Sequence, residues 1–249
     1  MSVNLMAHMI AGYPDLETSL ETARGLVAGG ASILEIQFPF SDPSADGPAI
    51  QAACTEALAA GFKVDDGWKL VETVRQEFPA IPVFVMSYAS IVVTKGVEAF
   101  VVRAQAAGVA GLIIPDLAPG TDEGLFAIGK KLGVAVVPVI VPSVPRERLD
   151  AILALQPEWV YTAIRAGITG THTTLTPALM GFLTTLNART KVMAGFGIDS
   201  AQQVQDLAPS VHSIVVGSAL VRVVATASKR GGKAAVRKET EDRVRELVG

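Results

Sequence analysis

Short apolar runs alternate along the chain with stretches in which apolar residues recur at helical spacing. The runs are nearly continuous, as in strands whose two faces are both covered. The intervening stretches repeat apolar positions every three or four residues, which predicts amphipathic helices. We predict strands at residues 5–10, 32–38, 81–87, 111–114, 135–140, 159–164, 191–194 and 213–216, and helices at residues 16–23, 49–60, 97–106, 121–132, 146–155, 177–187, 201–207 and 220–227.

The predicted elements form eight successive strand-helix units. Parallel strands need a crossover connection, and helices of this length provide one. Eight such units in 249 residues match a closed barrel in number and in length, whereas a doubly wound sheet would normally have fewer strands. We therefore predict an α/β fold, a single (β/α)₈ TIM barrel that forms one domain over residues 1–249.

Composition and charge narrow the classes of function. Hydrophobic residues make up 50% of the chain and charged residues 18%, as in a globular protein with a large core. The formal net charge of -3 leaves no excess of Lys and Arg for phosphates, so we expect no nucleic-acid partner. No apolar run reaches the roughly 18 residues of a membrane helix, so we expect no membrane partner. The start lacks a signal-peptide pattern and Cys54 has no second cysteine to pair with, so we expect a cytoplasmic location.

The most unusual stretch is residues 34–48, which begins inside a predicted strand and ends in an acidic loop with three prolines. Glu35 interrupts the apolar run, and an ionised carboxylate is costly to bury unless it is paired, protonated or placed at a wet mouth. The prolines stiffen the loop, which carries Asp42 and Asp46. Active sites of (β/α)₈ barrels lie at the carboxyl ends of the strands, where this loop begins. We expect Glu35 and Asp46 to meet there.

Both acids also have structural alternatives. Glu35 can form an ion pair inside the barrel, for example with Lys191 or Arg165. Asp46 can cap the helix that follows at Ala49. A carboxyl group that is desolvated at the mouth can instead transfer a proton in both directions, which suits catalysis. The spacing favours the catalytic role for Glu35 and leaves both roles open for Asp46.

Glycines follow the last two predicted strands. Gly195-Phe-Gly197 comes after the seventh strand and Gly217-Ser218 after the eighth, and glycine lets backbone N–H groups approach an anion closely. Ser218 also begins a short predicted helix, whose positive N-terminal end favours phosphate. We expect a phosphate site here, with ordinary tight turns as the alternative. A dinucleotide fingerprint is the poorer match, because the third glycine is missing and the glycines come late in the chain.

Other kinds of site have less support. The three histidines, His8, His172 and His212, are scattered, and we interpret each as a packed or solvated residue. No spacing of His, Cys and acidic residues resembles a known metal site, so we expect no metal. No Gly-x-Ser-x-Gly elbow supports serine hydrolysis. Tyr88 and Tyr161, at or near strand ends, can line a pocket or simply pack.

One long motif identifies a family. The string Leu34-Glu-Ile-x-x-Pro-Phe-Ser-Asp-Pro-x-Ala-Asp-Gly-Pro48 resembles the tryptophan synthase alpha chain family. Its length and specificity make chance a poor explanation. The resemblance covers nearly the whole chain in the right order, through Gly12-Tyr-Pro14, Met86-Ser-Tyr88, Ile114-Pro-Asp116, Arg165-Ala-Gly-Ile-Thr-Gly170, Gly195-Phe-Gly-Ile198 and Gly217-Ser218.

The resemblance implies a reaction and a partner. The reaction is the carbon-carbon lyase step of tryptophan biosynthesis, a retro-aldol cleavage of indole-3-glycerol phosphate to indole and glyceraldehyde 3-phosphate. The resemblance implies no metal or organic cofactor in this chain. It implies a tryptophan synthase beta chain as partner, which holds pyridoxal phosphate and consumes the indole. Two alpha and two beta chains form the family's usual heterotetramer.

The resemblance also implies roles for individual residues. The catalytic positions fall on Glu35 and Asp46, and Asp42 matches a loop residue associated with communication to the beta chain. Thr169 and Gly170 lie in the loop that closes over the substrate in the family. Together with the strand-end tyrosines and the glycine turns, the predicted substrate-binding set is Tyr88, Tyr161, Thr169, Gly170, Gly197, Gly217 and Ser218.

Three departures from the family's pattern qualify these expectations. Gln37-Phe38 stands where Gly-Val is common, and because side chains alternate along a strand, Gln37 should point to the same side as Glu35. There its amide can hydrogen-bond Glu35 or crowd the indole pocket. His8 stands where an aromatic residue is usual, and the loop at residues 171–174 also differs. Two alternatives stay open, a catalytically weak chain that mainly binds and activates a beta chain, and a stand-alone lyase that releases indole.

Overall fold

The computed structural model describes residues 3–164 and 175–249. Over these residues the chain forms nine β-strands, ten α-helices and one 3₁₀ turn. The strands are β1 Leu5–Ile10, β2 Ile33–Gln37, β3 Val83–Met86, β4 Gly111–Ile113, β5 Ala135–Val137, β6 Val139–Ile140, β7 Trp159–Ala163, β8 Lys191–Gly195 and β9 Ser213–Val216. The helices are α1 Leu16–Ala28, α2 Pro48–Ala59, α3 Val64–Glu77, α4 Ala89–Lys95, α5 Val97–Ala106, α6 Leu125–Leu132, α7 Arg146–Ala154, α8 Pro177–Asn187, α9 Ala201–Leu207 and α10 Ser218–Val248, and the 3₁₀ turn is Ala208–Ser210.

The nine strands pair in parallel in the order β5-β4-β3-β2-β1-β9-β8-β7-β6. β5 and β6 are two parts of one predicted strand, separated at Pro138, which has no N–H to donate to a neighbouring strand. The Pro138 carbonyl still accepts the Tyr161 N–H of β7, with 3.0 Å between nitrogen and oxygen. The two ends of the sheet therefore meet at Pro138. The predicted (β/α)₈ TIM barrel is confirmed, with its fifth strand in two parts.

Side chains alternate between the inside of the barrel and the surrounding helices. On β2, Ile33 belongs to the cluster that fills the barrel, whereas Leu34 and Ile36 belong to the cluster under the helices. The same alternation points Glu35 inward. The register of β1 against β2 places His8 directly beside Glu35. Two ionisable side chains therefore share the interior of the barrel.

Two helices, α3 and α4, are absent from the predicted elements. In α3 the buried Trp68 packs edge-on against Phe38 and Phe100, with ring centroids 4.9 and 5.1 Å apart. α4 is only seven residues long and contains β-branched Ile91 and Val92, which are weak helix formers, and Val92 is fully buried. Packing against the barrel, more than local sequence, stabilises these two helices.

The last helix, α10, extends well beyond the helix predicted at 220–227. It covers 31 residues and is broken at Gly231 and Gly232, whose backbone angles are not helical. Such a glycine pair predicts a helix end, yet the helix resumes after it. Lys233, directly after the break, is exposed, and its Nζ pairs with Glu17 Oε2 at 2.6 Å. Among the helices of the described residues, none is both long enough and apolar enough to cross a membrane.

The second half of α10 packs closely on α1 at two glycines. A Cβ added at Gly25 would overlap the Thr240 hydroxyl and the Arg237 carbonyl. One added at Gly29 would lie 2.7 Å from Cβ of Val244. The absence of side chains at these two positions lets the helix backbones approach, and it fixes the C-terminal segment on the barrel.

Gly25→Ala is expected to lower the free energy of unfolding by about 1–3 kcal/mol, the usual effect of inserting a methyl group into a close contact. The measurement is urea unfolding followed by circular dichroism. Gly181→Ala is the matched control, because Gly181 lies inside α8 where an added Cβ meets nothing within 4 Å. There the better helix propensity of Ala should raise stability by up to about 1 kcal/mol. Similar shifts in the two variants would contradict close packing of α1 on α10.

Candidate active site

A pocket lies at the carboxyl ends of the barrel strands, where barrels of this class place their active sites. If β5 and β6 are counted as one strand, every strand contributes to it directly or through the loop that follows. Most of the wall is apolar, and the polar groups are concentrated on two sides. The lining residues are His8, Glu35, Ala45, Asp46, Ile50, Met86, Ile113, Pro115, Val139, Tyr161, Phe196, Gly197, Ile198, Val215, Gly217 and Ser218.

Glu35 is the central residue of β2 and is only 3% exposed. Its partner is His8 of the neighbouring strand β1, with 3.1 Å between His8 Nδ1 and Glu35 Oε2. The alternative pairing with Lys191 is wrong, because Lys191 binds Glu158 at 2.8 Å. Arg165, the other proposed partner, lies outside the described residues. The buried acid is thus compensated by a histidine.

His8 is 5% exposed and carries an altered pKa. Burial disfavours the imidazolium, but the negative charges of Glu35 and Asp46 outweigh burial and raise the pKa of His8 above its ordinary 6.5. The interpretation of His8 as a merely packed or solvated residue is therefore incomplete. Its second ring nitrogen, Nε2, is buried and has no hydrogen-bond partner among the described residues.

Asp46 lies in the loop after β2, where two side chains hold one of its oxygens. Gln37 Nε2 donates to Asp46 Oδ2 at 2.8 Å, and the Tyr88 hydroxyl donates to the same oxygen at 2.7 Å. The alternative role as a helix cap is wrong, because α2 has Gly47 at its N-cap and no side-chain cap. The Gln51 amide also donates to the Asp46 backbone carbonyl at 2.7 Å. The loop therefore presents this carboxyl group in a fixed position.

Some features of the environment of Asp46 raise its pKa and others lower it. Burial raises the pKa of Asp46, because a carboxylate loses hydration there. The positive charge of His8 and the hydrogen bonds from Tyr88 and Gln37 oppose that rise. Glu35 adds a smaller upward contribution through charge repulsion. The net effect is a pKa above the ordinary value for an aspartate.

Gln37 is fully buried and lies behind Asp46, apart from the pocket wall. Besides Asp46 its amide contacts Cys54 Sγ at 3.6 Å. The expectation that Gln37 hydrogen-bonds Glu35 or crowds the pocket is wrong, since the amide is bound to Asp46 instead. Strand alternation predicted the correct side of β2 but not the partner, which the loop brings back over the end of the strand.

A second part of the pocket wall, one strand away from the acids, is formed by the start of α10. Gly217 is the N-cap of this helix and Ser218 its first residue, with no side chain capping the end. The first backbone N–H groups of a helix have no partner within it, and the helix dipole makes this end positive. Both features favour a bound anion such as phosphate.

The turn after β8 completes this side. Phe196 has φ +88° and Gly197 φ +78°. Positive φ is ordinary for glycine but unusual for phenylalanine, and such a conformation costs about 1–3 kcal/mol. Phe196 lines the pocket and packs edge-on to Tyr161, with ring centroids 6.1 Å apart. Strained backbone of this kind concentrates at functional sites.

The two predicted tyrosines have different positions. Tyr161 lines the pocket, and burial together with the charges of Glu35 and Asp46 keeps its pKa well above the usual range, so its hydroxyl stays protonated. Tyr88 is fully buried behind Asp46 and is not part of the wall. Its hydroxyl binds Asp46 and accepts the Ala45 N–H at 3.2 Å. Tyr88 contacts the acid instead of the open pocket.

Three predicted residues lie away from the pocket or outside the described part of the chain. Asp42 is exposed on the loop after β2, where it accepts the Ser41 hydroxyl at 2.6 Å. Thr169 and Gly170 lie outside the described residues. In residues 3–164 and 175–249, no group of three or more His, Cys, Asp or Glu side chains could hold a metal ion.

Sequence reasoning assigned no role to His8. His8 was interpreted as a packed or solvated residue and as a departure from the family's pattern. The alternation of side chains along β1 and β2, combined with the register between these strands, could have predicted that His8 lies beside Glu35. His8 is the fourth residue of β1 and Glu35 the third of β2, and the observed pairing places them opposite each other, both facing inward.

Comparison with known proteins identifies the family to which this arrangement belongs. The family model described as "Tryptophan synthase alpha chain" matches residues 2–248. The chain belongs to the tryptophan synthase alpha chain family. As a member it is a lyase of tryptophan biosynthesis that cleaves indole-3-glycerol phosphate to indole and glyceraldehyde 3-phosphate. The resemblance drawn from the sequence motifs is confirmed.

Individual relatives support the same assignment. The tryptophan synthase alpha chain of Helicobacter hepaticus is 41% identical over 231 residues, which cover 90% of this chain and 86% of the relative. A tryptophan synthase structure from Mycobacterium tuberculosis has a TM-score of 0.86 at 31% identity, covering 100% of this chain and 93% of that one. A tryptophan synthase complex from Pyrococcus furiosus has a TM-score of 0.86 at 29% identity, covering 100% and 98%.

Tyr88→Phe is expected to raise the pKa of Asp46 further, because it removes a hydrogen bond that stabilises the ionised carboxyl group. The measurement is a ¹³C NMR titration of protein labelled at the aspartate carboxyl carbons. Tyr13→Phe is the control, since Tyr13 is also buried but is not among the groups that shift the pKa of Asp46. An Asp46 pKa that stays the same in Tyr88→Phe would show that the hydroxyl does not stabilise the carboxylate.

Proposed function

We propose that Glu35 and Asp46 carry out the cleavage of indole-3-glycerol phosphate in this chain. The observation that carries the proposal is that both acids line one pocket with Gly197, Gly217 and Ser218. One side of the pocket thus offers two carboxyl groups, and the other offers backbone N–H groups at a positive helix end. This division matches a substrate that reacts at its indole end and carries phosphate at the other.

The reaction requires two proton transfers. C3 of the indole ring gains a proton, and positive charge develops on the ring nitrogen. The hydroxyl on the adjacent carbon loses a proton, a carbonyl forms there, and the electron pair of the broken carbon-carbon bond returns to the ring. One proton is gained and one is lost, so a single carboxyl group can carry both transfers. We assign this role to Glu35, which β2 holds facing into the pocket.

Asp46 is assigned to the indole nitrogen. A carboxylate that accepts the ring N–H stabilises the positive charge as it develops. The hydrogen bonds from Gln37 and Tyr88 support this assignment, because they fix Asp46 before any substrate binds. A charge that is already in place needs no reorganisation during the reaction. Tyr88, predicted to bind substrate, is therefore assigned to the support of Asp46.

The remaining predicted positions are assigned to the rest of the substrate. Gly197, Gly217 and Ser218 are assigned to the phosphate, with the start of α10 supplying the positive end. Tyr161 lines the same pocket and is assigned to the body of the substrate. Thr169 and Gly170 stay predicted members of the site, as the loop that closes over the substrate.

We also propose a beta chain as partner, in a heterotetramer of two alpha and two beta chains. The similarity over the full length of this chain to the complex from Pyrococcus furiosus supports this. Asp42, exposed on the loop that also carries Asp46, is the candidate contact for communication between the chains. The chain itself is proposed to need no cofactor, with pyridoxal phosphate in the beta chain, and to act in the cytoplasm.

The alternative of a catalytically weak chain rested partly on Gln37. Because Gln37 binds Asp46 and does not line the pocket, it gives that alternative no support. The other departure, the loop at residues 171–174, lies outside the described residues. A stand-alone lyase would differ from the proposed function only in being highly active without a beta chain.

The purified chain is expected to release indole from indole-3-glycerol phosphate, measured by indole fluorescence with and without a beta chain. Glu35→Gln should lower kcat by roughly 10²–10⁴-fold, the usual contribution of a general acid-base group. Its inhibition constant for inorganic phosphate should stay near that of the unmodified chain, since the phosphate side is untouched. Glu98→Gln, an exposed position on α5, is the control and should keep full activity.

Release of no indole by the unmodified chain under either condition would overturn the proposed function. Full activity in Glu35→Gln would overturn the role of Glu35 alone. Strong activity without a beta chain would favour the stand-alone lyase.

A further inference from the structure

The imidazole of His8 lies between the two sides of the active site. In the sheet β1 stands between β2, which carries Glu35, and β9, which leads to Gly217. His8 Nδ1 is 3.1 Å from Glu35 Oε2. Toward β9, His8 Cβ, Cγ and Cδ2 would each be 3.6 Å from a Cβ built on Gly217. A molecule that reaches from the acids to the start of α10 must pass this ring.

The free nitrogen of His8 is the second observation. Nε2 is buried and has no partner among the described residues, although His8 is 5% exposed and lines the pocket. Buried polar atoms in folded proteins almost always have a hydrogen-bond partner, so an orphan atom in a pocket wall requires an explanation. Nε2 is bonded to Cδ2, one of the three His8 atoms nearest to Gly217, and from this we place Nε2 on the phosphate side.

The charges around His8 determine the protonation state of its imidazole ring. Glu35 on β2 and Asp46 on the following loop face it with negative charge. The other neighbours on α1 and α10, Thr22 and Val221, are uncharged, and Tyr13 after β1 is a neutral phenol at ordinary pH, with its pKa raised further by burial. Two carboxyl groups therefore surround one imidazole. An imidazolium carries N–H on both nitrogens, so both can donate.

We propose that His8 is a further functional residue of the lyase reaction, which positions Glu35 through Nδ1 and binds an oxygen of the substrate's glycerol phosphate chain through Nε2. This inference rests on the proposed function. It explains the buried ion pair and the orphan nitrogen together. The first contact aims the proton-transferring carboxyl group, and the second fixes the carbon chain whose bond to indole breaks.

Variants at His8 separate the two contacts. His8→Phe keeps a ring but removes both donors, so kcat should fall and KM should rise, each by about tenfold or more, as expected for lost hydrogen bonds to charged groups. Asn places its amide near the position of Nδ1 and should recover mainly kcat. Gln places its amide near that of Nε2 and should recover mainly KM. Circular dichroism verifies that each variant folds.

The pH profile provides a readout that a purely structural role would not change. Since the pKa of His8 is raised, the imidazolium persists above pH 6.5 and loses a proton as pH rises through that higher pKa. The kcat/KM of the unmodified chain should therefore fall on the alkaline side. His8→Gln should lack this fall, because an amide does not titrate. Tyr161 titrates at higher pH and does not contribute to the fall.

A direct binding test does not depend on turnover. Glycerol 3-phosphate, added to protein with ¹⁵N-labelled histidine, is expected to shift the His8 Nε2 resonance, and to do so in Glu35→Gln as well. Inorganic phosphate alone should give a smaller shift. No shift with glycerol 3-phosphate, or a His8→Phe variant with unchanged kcat, KM and pH profile, would overturn the role of His8. Failure of the unmodified chain to release indole would instead overturn the proposed function. The two failures can be told apart, because the binding test requires no turnover.

Discussion

Glu35 is an acidic residue enclosed by the barrel, and its burial is the constraint on which the rest of the site depends. A carboxyl group removed from water needs a polar partner at close range, and His8 on the adjacent strand provides one, with 3.1 Å between Nδ1 and Oε2. The charge of His8 also acts on Asp46, whose carboxyl group is held by Gln37 and Tyr88. The two groups of polar side chains are thus coupled through the charge of His8, which acts on both acids.

The order of the strands explains why acids and anion site share one pocket. β2, β1 and β9 are neighbours, so the acid side and the start of α10 are separated by a single strand. Both ends of α10 contribute to the structure of the phosphate side of the pocket. Gly217 at its start borders the pocket, while its second half packs on Gly25 of α1, and Arg243 donates to the Asp199 carbonyl just after the turn at Gly197. Close packing far from the pocket therefore helps to fix the turn and helix that form its phosphate side.

Most of the barrel could be predicted because strand and helix periods are local properties of the sequence. The exceptions arise where contacts between distant segments outweigh local preference. Trp68 stabilises α3 by packing on Phe38 and Phe100, and none of these contacts is visible in the pattern of α3 itself. The last helix was predicted only at residues 220–227, but α10 continues beyond the glycine pair at 231–232, where its second half packs on α1. Pro138 divides a strand that the apolar pattern shows as continuous.

The sequence by itself determined the barrel, the acid within its second strand, the stiff acidic loop and the glycine turns, since each depends on residue type and on neighbours in the chain. Only the tertiary structure decided which side chains contact these acids. His8 rather than Lys191 pairs with Glu35, and Gln37 binds Asp46 rather than Glu35. The physical reason is that these contacts join separate strands and loops, so they depend on sheet register and on the path of the loop after β2. Both are set by packing of the whole barrel.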